Sequence, residues 1–381
     1  MSSTTAPASG SVLRLVVAGS FAALLAAVFA AFTGANPVQG LRAFFVLPFL
    51  SRTVFLSMLE SAAPLGLCAL GAISAFRAGH FSLGGEGQAY SGALVAALVG
   101  AAGSGGLLGL GSALLAGTAA GVLVALLPAL GKRFADADVL LTSFLISYAV
   151  VLGADWAIAV PLRDATNNLV ALPPVQPSAL LPRLALPSSL TPMPLVFTGL
   201  CLLSWFFFEH TRTGAMMDLF GRNRLFAVLQ GYPVKLFAWA PILAAGAFHG
   251  LAGASLALGA NGTAIRGMSG GIGWSAIGVA LVAGNKPAAV PLAALLFAWL
   301  DAGSRQASIL TDVNPDASLV IKALVLILIT ARPGSQLFRG FLSRSTLPRE
   351  SHDRFPMELS DKPQMDPPSR PSMEARGRGT P

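Results

Sequence analysis

The sequence predicts an all-α fold, a polytopic transmembrane helical bundle of about ten segments. Hydrophobic residues make up 54% of the 381 residues and charged residues only 11%, whereas soluble domains carry about 25% charged residues. The apolar residues fall into runs near the length that a helix needs to cross a bilayer, about 20 residues. Glycine occurs 41 times, and small residues let helices approach closely within lipid.

Ten apolar runs are predicted to lie in the membrane, and the short ones fit broken or re-entrant helices. They lie near residues 12–33, 53–76, 84–103, 107–129, 139–160, 193–209, 236–258, 271–284, 287–303 and 318–331. A membrane domain, 12–338, would follow a short cytoplasmic N-terminus, 1–11. The tail, 339–381, is rich in Pro, Ser and charged residues, which predicts disorder. The first run also fits a cleaved signal peptide, but its length favours an uncleaved helix.

Basic residues set the predicted orientation. With the N-terminus in the cytoplasm, ten of the basic residues that flank the runs lie inside and six lie outside. This bias predicts that both termini are cytoplasmic. Residues 161–192 then lie outside, and their seven prolines predict an extended loop instead of a membrane helix.

A glycine pattern, GGxGxxxxG, occurs twice in the chain. It begins at Gly84 and again at Gly270. In the predicted topology the two copies cross the membrane in opposite directions. Inverted repeats with glycine-rich helix breaks are common in transporters, so the pattern favours an inverted repeat, although a chain with this many glycines also produces such matches by chance.

The segment Arg77–Gln88 combines the side chains of Arg77, His80, Glu86 and Gln88 with four glycines between two apolar runs. Polar groups are costly in lipid and face a cavity or the protein interior. The segment is therefore interpreted as a broken helix along a translocation path. The structural alternative is a tight turn in which Glu86 stabilises a helix N-terminus. The candidate path residues are Phe81, Glu86, Gln88, Ser147 and Trp274.

The segment Thr211–Gly231 follows an apolar run and is predicted to be cytoplasmic. Its pattern predicts two short amphipathic helices, near 213–219 and 223–229, separated by a glycine turn. Such helices fit a groove on a soluble partner. The alternative is a basic helix that lies on lipid headgroups.

These segments, in this order, resemble the permeases of bacterial ABC importers for simple sugars and nucleosides, a family related to branched-chain amino acid permeases. The family phrase FRAGLFNIGAEGQ stands here as Phe76–Gln88, its TRFG as Thr211–Gly214, and its SGALAGLAGA-like run as Ala245–Ala254. One departure is Ser147, which stands where the family usually has Asn.

The resemblance implies a set of partners. Two permease subunits, identical or homologous, would form the pore, two ATPase subunits would supply the energy, and an extracytoplasmic solute-binding protein would deliver the solute. Thr211–Gly231 would be the segment that couples the permease to the ATPase. The coupling candidates are Arg212, Gly214, Leu219, Gly221, Asn223, Phe226 and Gly231.

The predicted function is therefore a permease subunit of an ABC importer in the bacterial inner membrane. Its solute would be a nucleoside, a simple sugar or a vitamin such as riboflavin, for which aromatic side chains offer stacking surfaces. ATP would bind the partner, because the chain has no P-loop motif. No cofactor, metal or nucleic acid is expected on this chain, and it is not expected to be an enzyme.

Two alternatives remain. An ion-coupled secondary transporter would need a dedicated ion site, and the acids Glu60, Asp155 and Glu209 assemble into no evident proton pathway. An intramembrane enzyme would need a paired nucleophile and base or metal-spaced ligands, and none is found in the sequence. The single histidines His210 and His249 are interpreted as structural.

Overall fold

The computed structural model describes residues 37–310 apart from 104 and 167, together with 319, 320 and 323. Over this part of the chain α-helices dominate and no β-strand forms, since the single antiparallel bridge, Ala171 to Ile265, stands alone. The all-α prediction is confirmed. The predicted N-terminus 1–11, the run 12–33 and the tail 339–381 lie outside the described residues, as does nearly all of the run 318–331.

Ten helices form the body of the described bundle. They are α1 (Arg52–Arg77), α2 (Gly85–Ala102), α3 (Gly106–Ala135), α4 (Val139–Ala159), α5 (Met193–His210), α6 (Arg212–Arg222), α7 (Arg224–Leu229), α8 (Ala240–Ser255), α9 (Ile272–Val282) and α10 (Val290–Leu310). Short pieces accompany them, namely the α-helical turns Pro37–Leu41, Leu47–Leu50 and Val234–Phe237, the π-helical turns Arg42–Val46 and Leu256–Asn261, and the 3-10 turns Pro177–Ala179 and Pro287–Ala289.

Six helices among the described residues are long and apolar enough to cross a membrane. They are α1, α3, α4 and α5 and the continuous stretches Val234–Asn261 and Pro287–Leu310. The predicted count of about ten spans is not confirmed. The predicted segments 84–103 and 271–284 correspond to α2 and to α9, which has only 11 residues. A further apolar helical stretch, Val38–Leu50, lies where the sequence predicted none.

Glycines let α2, α3 and α8 cross at very short distances. A Cβ atom added to Gly253 of α8 would lie 1.8 Å from the carbonyl oxygen of Ala89 in α2, and one added to Gly121 of α3 would lie 2.3 Å from the carbonyl oxygen of Gly246. Neither contact leaves space for a side chain. The abundance of glycine in the sequence thus reflects close helix packing of the kind that membranes require.

The long proline-rich segment, 161–192, contains no α-helix in its described residues, all but 167, as predicted. It lies along the end of α8 and the residues that follow. Leu172 donates to the carbonyl of Ala264, Val175 to that of Gly262, and Leu181 to that of Leu258, each at 2.9 Å. These bonds satisfy backbone groups that have no helix or sheet to pair with.

Candidate functional site

The first element of the candidate site is the break between α1 and α2. Helix α1 ends at Arg77, and Gly79 takes a left-handed φ of 76°, which glycine adopts without steric cost. Helix α2 begins only at Gly85. The predicted interruption of the helix in Arg77–Gln88 is therefore present, and its free backbone groups need partners.

Two serines of α4, one helical turn apart, supply those partners. The hydroxyl of Ser143 accepts from the N–H of Leu83 at 2.9 Å, and the hydroxyl of Ser147 accepts from the N–H of Gly87 at 2.7 Å. A Cβ atom on Gly87 would lie 2.7 Å from the Cα of Ser147. Ser147, a predicted path residue, is thus buried and holds the first turn of α2.

Glu86 joins the two glycine-rich copies. Its side chain is 8% exposed. Its Oε1 accepts from the N–H of Gly271 at 2.9 Å, and its Oε2 accepts from the N–H of Gly273 at 2.7 Å. These N–H groups begin α9 and have no partner within that helix, so a carboxylate satisfies them and complements the helix dipole. Glu86 thus lies in the first turn of α2 and also binds the N-terminus of α9.

Gln88 is almost completely buried, at 1% exposed. Its Oε1 lies 2.8 Å from Nδ1 of His249, while its Nε2 has no hydrogen-bond partner among the described residues. A Cβ atom on Gly84 would lie 2.6 Å from this Nε2 and 3.4 Å from the Cβ of Ser143. The unpaired amide group therefore points to the side of the break that faces α4.

His249 was interpreted as structural, and its buried ring packs inside the bundle, but its contact with Gln88 was not predicted. The ring lies between two glycines: Cβ atoms on Gly71 and Gly85 would each lie 2.8 Å from it. The ring thus connects α1, α2 and α8. The available signal was its position within the run Ala245–Ala254, one of the segments that carried the family resemblance.

An aromatic surface, defined here as Phe144, Tyr148 and Trp274, lies beside the break. The three side chains are 37%, 60% and 45% exposed. The ring centroids of Phe144 and Tyr148 are 6.5 Å apart with planes at 21°, and those of Phe144 and Trp274 are 5.9 Å apart with planes at 66°. Phe81 is also exposed, and it stacks on Phe76 at 4.5 Å.

The loop between α8 and α9 has a second anchor. Asp155 of α4 accepts a very short hydrogen bond from the Tyr90 hydroxyl of α2, and the N–H of Gly267 donates to the Tyr90 oxygen at 2.8 Å. The guanidinium of Arg266 lies 4.0 Å from Asp155. Helix α2 therefore binds this loop at two places, through the hydroxyl of Tyr90 and through the carboxylate of Glu86.

The acids considered for a proton pathway, Glu60, Asp155 and Glu209, lie in separate places. Asp155 belongs to the loop anchor, Glu60 accepts from the N–H and hydroxyl of Thr191 at 2.8 Å, and Glu209 pairs with Arg77 at 3.1 Å. They do not form a chain of proton carriers. No cluster of three or more His, Cys, Asp or Glu side chains suited to a metal occurs within the residues that the structure describes.

The predicted coupling segment forms two helices, as expected, but its break differs. Helix α6 continues through Gly221 to Arg222, and Asn223 caps α7 by accepting from the N–H of Phe226 at 3.0 Å. The expected glycine turn is absent; Gly221 instead packs within α6 against the end of α1, where a Cβ atom would lie 2.1 Å from the carbonyl oxygen of Arg77. Thr211 caps α6 through the N–H of Gly214 at 3.1 Å.

Ion pairs fix α6 to the end of α1. The side chain of Arg77 donates to Asp218 at 2.9 Å and to Glu209 at 3.1 Å, and its guanidinium lies 4.4 Å from the ring centroid of Phe208. Asp218 also pairs with Arg222 at 2.7 Å. The coupling segment is thus attached to the residue that leads directly into the break before Glu86.

The rest of α6 and α7 presents apolar side chains outward. Leu219, Leu225, Phe226, Val228 and Leu229 are all exposed. Arg212 and Gly231 are exposed as well, and Gly231 takes a left-handed φ of 70° where the segment ends. An anchored helix pair with an exposed apolar side is typical of a docking surface.

A cavity of about 450 Å³ opens beside the same end of the bundle, between the turn 79–81, Lys132 and residues 136–140. His80 lines it, and its Nε2 lies 3.0 Å from the carbonyl oxygen of Phe237. Burial lowers the pKa of His80, partly opposed by that hydrogen bond, and the charges of Lys132 and Arg224 lower it further. This imidazole is therefore neutral at physiological pH.

The chain is similar to a known family of transport permeases and to several named members of such systems. Residues 54–330 match the family described as "Branched-chain amino acid transport system / permease component". The chain is 32% identical over 315 residues to the probable riboflavin import permease protein RfuC of Treponema pallidum, covering 80% of this chain and 82% of the relative. No solved structure matches the chain.

Two further relatives are more distant. The guanosine ABC transporter permease protein NupP of Bacillus subtilis is 28% identical over 290 residues, 74% of this chain and 82% of the relative. The glucose ABC transporter permease protein TsgB13 of Haloferax volcanii is 28% identical over 335 residues, 84% of this chain and 86% of the relative. With six apolar helices and this match over most of its length, the chain is a multi-pass membrane protein that belongs to the branched-chain amino acid transport system permease family, a family of ABC transporter permease subunits.

Proposed function

We propose that this chain forms the membrane path of an ATP-driven importer. Two permease subunits, the same chain twice or this chain with a homologue, surround the path. ATP binds and is hydrolysed on partner ATPase subunits, and an extracytoplasmic solute-binding protein delivers the solute. The chain itself carries no cofactor and performs no chemical reaction.

The solute is a small polar molecule of the kind that the relatives carry. Their names refer to riboflavin, guanosine and glucose. A nucleoside, a simple sugar or a vitamin such as riboflavin therefore defines the range for this importer. The proposed location is the bacterial inner membrane, with the N- and C-termini and the coupling segment in the cytoplasm and residues 161–192 outside.

The observation that carries the proposal is the attachment of α6 to Arg77. Motion of an ATPase against the exposed side of α6 and α7 would pull on Asp218 and so on Arg77, which lies 2.9 Å away. Arg77 is the last residue of α1, and the break that ends at Glu86 follows it. Force at the coupling segment therefore reaches the connection between α2 and α9 through a short, well-packed route.

The proposed coupling residues have two different tasks. Leu219 and Phe226 contact the ATPase, because their side chains are exposed, and Arg212 and Gly231 lie at the edges of the same surface. Gly214, Gly221 and Asn223 shape the segment. A Cβ atom on Gly214 would lie 2.2 Å from the carbonyl oxygen of Phe207, so this position holds α6 against the end of α5.

The proposed path residues also divide by role. Phe81 and Trp274 present exposed rings that a passing solute can touch. Glu86 and Ser147 hold the backbone of the break in place. Gln88 is buried as well: its Oε1 lies 2.8 Å from Nδ1 of His249, and its Nε2 has no hydrogen-bond partner among the described residues.

Substitutions on the coupling surface test the proposal. The complete importer is reconstituted in proteoliposomes with wild-type permease, Leu219→Glu or Phe226→Glu. A carboxylate on an apolar docking surface is costly to desolvate, so we expect uptake to fall about tenfold or more while the ATPase continues to hydrolyse ATP. Leu219→Met and Phe226→Met keep an apolar side chain of similar volume and serve as matched controls.

Three results are informative in these vesicles. Uptake that needs ATP and is lost only in the glutamate variants supports the importer. Uptake that continues without ATP and collapses with an ion gradient would identify a secondary transporter instead. If both glutamate variants take up solute and bind the ATPase as the wild type does, α6 and α7 have no coupling role.

A further inference from the structure

The loop between α8 and α9 changes its partners after Arg266. As far as this residue it follows the proline-rich segment, and the N–H of Arg266 donates to the carbonyl of Val170 at 2.9 Å. From 267 to 271 its hydrogen-bond partners outside the loop are side chains of α2 and α4. This part, the entry segment, leads into α9, and a few side chains attach it instead of a row of backbone bonds.

Glu86 and Tyr90 bind the two ends of the entry segment. The N–H of Gly267 donates to the hydroxyl oxygen of Tyr90 at 2.8 Å, and the N–H of Gly271 donates to the carboxylate of Glu86 at 2.9 Å. Glu86 and Tyr90 lie on the same face of α2, about one helical turn apart. A movement of α2 against α9 would therefore break both contacts together.

Helix α9 begins within the membrane. It has 11 residues, which extend over about 16 Å, about half of the hydrocarbon core of a bilayer. The ring centroid of Trp274, in its first turn, lies 5.9 Å from that of Phe144, in the second turn of α4. The entry segment therefore brings non-helical backbone into the membrane from the end of the bundle that carries residues 161–192.

The entry segment is not covered by the described part of this chain. Gly267 and Gly270 are exposed, and a Cβ atom on either would meet none of the described residues within 4 Å. Non-helical backbone at membrane depth does not face lipid, but is buried in protein or lines a water-filled cavity. The entry segment therefore borders the solute path.

The conformation of the entry segment depends on glycine at both ends. Gly267 and Gly271 have left-handed φ values of 71° and 79°, and glycine adopts either sign of φ at little cost. A Cβ atom on Gly271 would also meet none of the described residues within 4 Å, so packing does not require glycine at either position. A few residues that absorb changes in φ and ψ are typical of a hinge.

We propose that the entry segment is a gate in the solute path, which is closed in this structure and opens when α2 releases it. Tyr90 and Glu86 are the positioning residues that hold it closed. The inference rests on the proposed importer function, because α2 follows the break after Arg77, the residue to which the coupling segment is attached. Motion of an ATPase at one end of the bundle would then open the path near the other end.

Cysteine labelling tests whether the gate moves. Ser269→Cys places a thiol in the entry segment, and Ala165→Cys places one in the adjoining proline-rich segment as the matched control. The complete importer in proteoliposomes reacts with a water-soluble maleimide, either without nucleotide or with ATP and orthovanadate. The native Cys68 and Cys201 are buried, and protein without an added cysteine measures their background. We expect faster labelling with ATP for Ser269→Cys and an unchanged rate for Ala165→Cys.

Tyr90→Phe tests the contact that holds the gate, in the same vesicles without nucleotide. This variant keeps the ring but removes the hydroxyl that binds Gly267. Loss of one hydrogen bond shifts an equilibrium about fivefold, so Ser269→Cys should react about fivefold faster when combined with Tyr90→Phe. Tyr232→Phe loses the same group next to the coupling segment and should have no effect.

The Ala165→Cys reporter separates release of the gate from general loosening. Tyr90→Phe should leave its labelling rate unchanged, whereas a loss of structure at this end of the bundle would accelerate both reporters equally. Met268→Cys gives a second reporter within the entry segment. Size-exclusion profiles establish that each variant is folded.

Several outcomes would overturn the gate. Entry-segment cysteines that react in no condition would show that the second subunit covers this segment. Unchanged labelling in Tyr90→Phe, or an equal effect of Tyr232→Phe, would also remove it, and if ATP still accelerated labelling the importer function would stand. Faster labelling in Tyr90→Phe with no effect of ATP would keep the gate and contradict the ATP-driven function.

Discussion

The carboxylate of Glu86 accepts a 2.7 Å hydrogen bond from the backbone N–H of Gly273, although the two residues are 187 positions apart in the chain. The bond joins the first turn of α2 to the first turn of α9. Each residue belongs to one copy of the repeated glycine pattern. The two copies therefore meet at their helix starts, and one carboxylate connects them.

Removing this carboxylate should destabilise the protein as well as impair transport. Glu86→Ala leaves the buried N–H of Gly273 and the partly buried N–H of Gly271 without an acceptor, and an unpaired buried group costs about 1–3 kcal/mol. We expect a lower melting temperature for the detergent-purified permease and lower uptake. Glu86→Gln keeps one acceptor and should melt between wild type and Glu86→Ala. Equal melting temperatures for all three proteins would show that the bond contributes nothing to stability.

The close approach of the two copies depends on Gly273. A Cβ atom at this position would lie 2.2 Å from the backbone nitrogen of Glu86, so Gly273→Ala must push α9 away from α2. Overpacking of this kind costs about 1–3 kcal/mol. Gly153→Ala is the matched control, because a Cβ atom there meets nothing within 4 Å. We expect reduced thermal stability only for Gly273→Ala, and a similar loss in both variants would contradict this packing account.

The sequence was sufficient to predict the membrane bundle and the break after Arg77. Long apolar runs identify spanning helices through length and hydropathy alone, which is why the starts and ends of α1 and α4 were predicted within one residue, whereas α3 ends six residues beyond its predicted run. The run Val38–Leu50 was missed because it is too short for that signal and includes Pro48.

Contacts between distant segments could not be predicted in the same way. The polar cluster of Glu86 and Gln88 was evident, but their partners, Gly271, Gly273 and His249, lie more than 160 positions away. Every residue except proline has a backbone N–H group, so the sequence cannot show which of these groups Glu86 binds. Ser147 was identified as a path residue, but its role in holding Gly87 depends on how α4 packs against α2.

The buried His80 predicts a stability change at mildly acidic pH. Its pKa in the folded protein is lowered from 6.5, chiefly by burial. Below pH 6.5 the unfolded chain therefore binds more protons than the folded protein, and stability falls as the pH decreases toward the folded pKa. Stability from this group is fully present above pH 6.5.

Thermal melting of wild type and His80→Gln between pH 8 and pH 5 measures this effect. His80→Gln retains a donor for the carbonyl oxygen of Phe237 but does not titrate, so its melting temperature should fall less on acidification. An identical pH dependence in the two proteins would assign the acid sensitivity to other groups.

The connection between Arg77 and Asp218 should be energetically stronger than the neighbouring pair of Asp218 with Arg222. The side chains of Arg77 and Asp218 are 13% and 19% exposed, whereas that of Arg222 is 74% exposed. Solvent screens the exposed pair, which is expected to contribute about 0.3–0.5 kcal/mol. The shielded pair should show a coupling free energy of about 1–2 kcal/mol, as neighbouring residues in one ion-pair network do.

Two double-mutant cycles measure the difference, one with Arg77→Ala and Asp218→Ala and one with Arg222→Ala and Asp218→Ala. Both share the Asp218 variant, so its effect on α6 is common to them. If α6 transmits force through Arg77, then Arg77→Ala should also lower the solute transported per ATP hydrolysed, while Arg222→Ala should not. Equal coupling free energies, with equal transport in the two arginine variants, would contradict the proposal that α6 transmits force to α1 through Arg77.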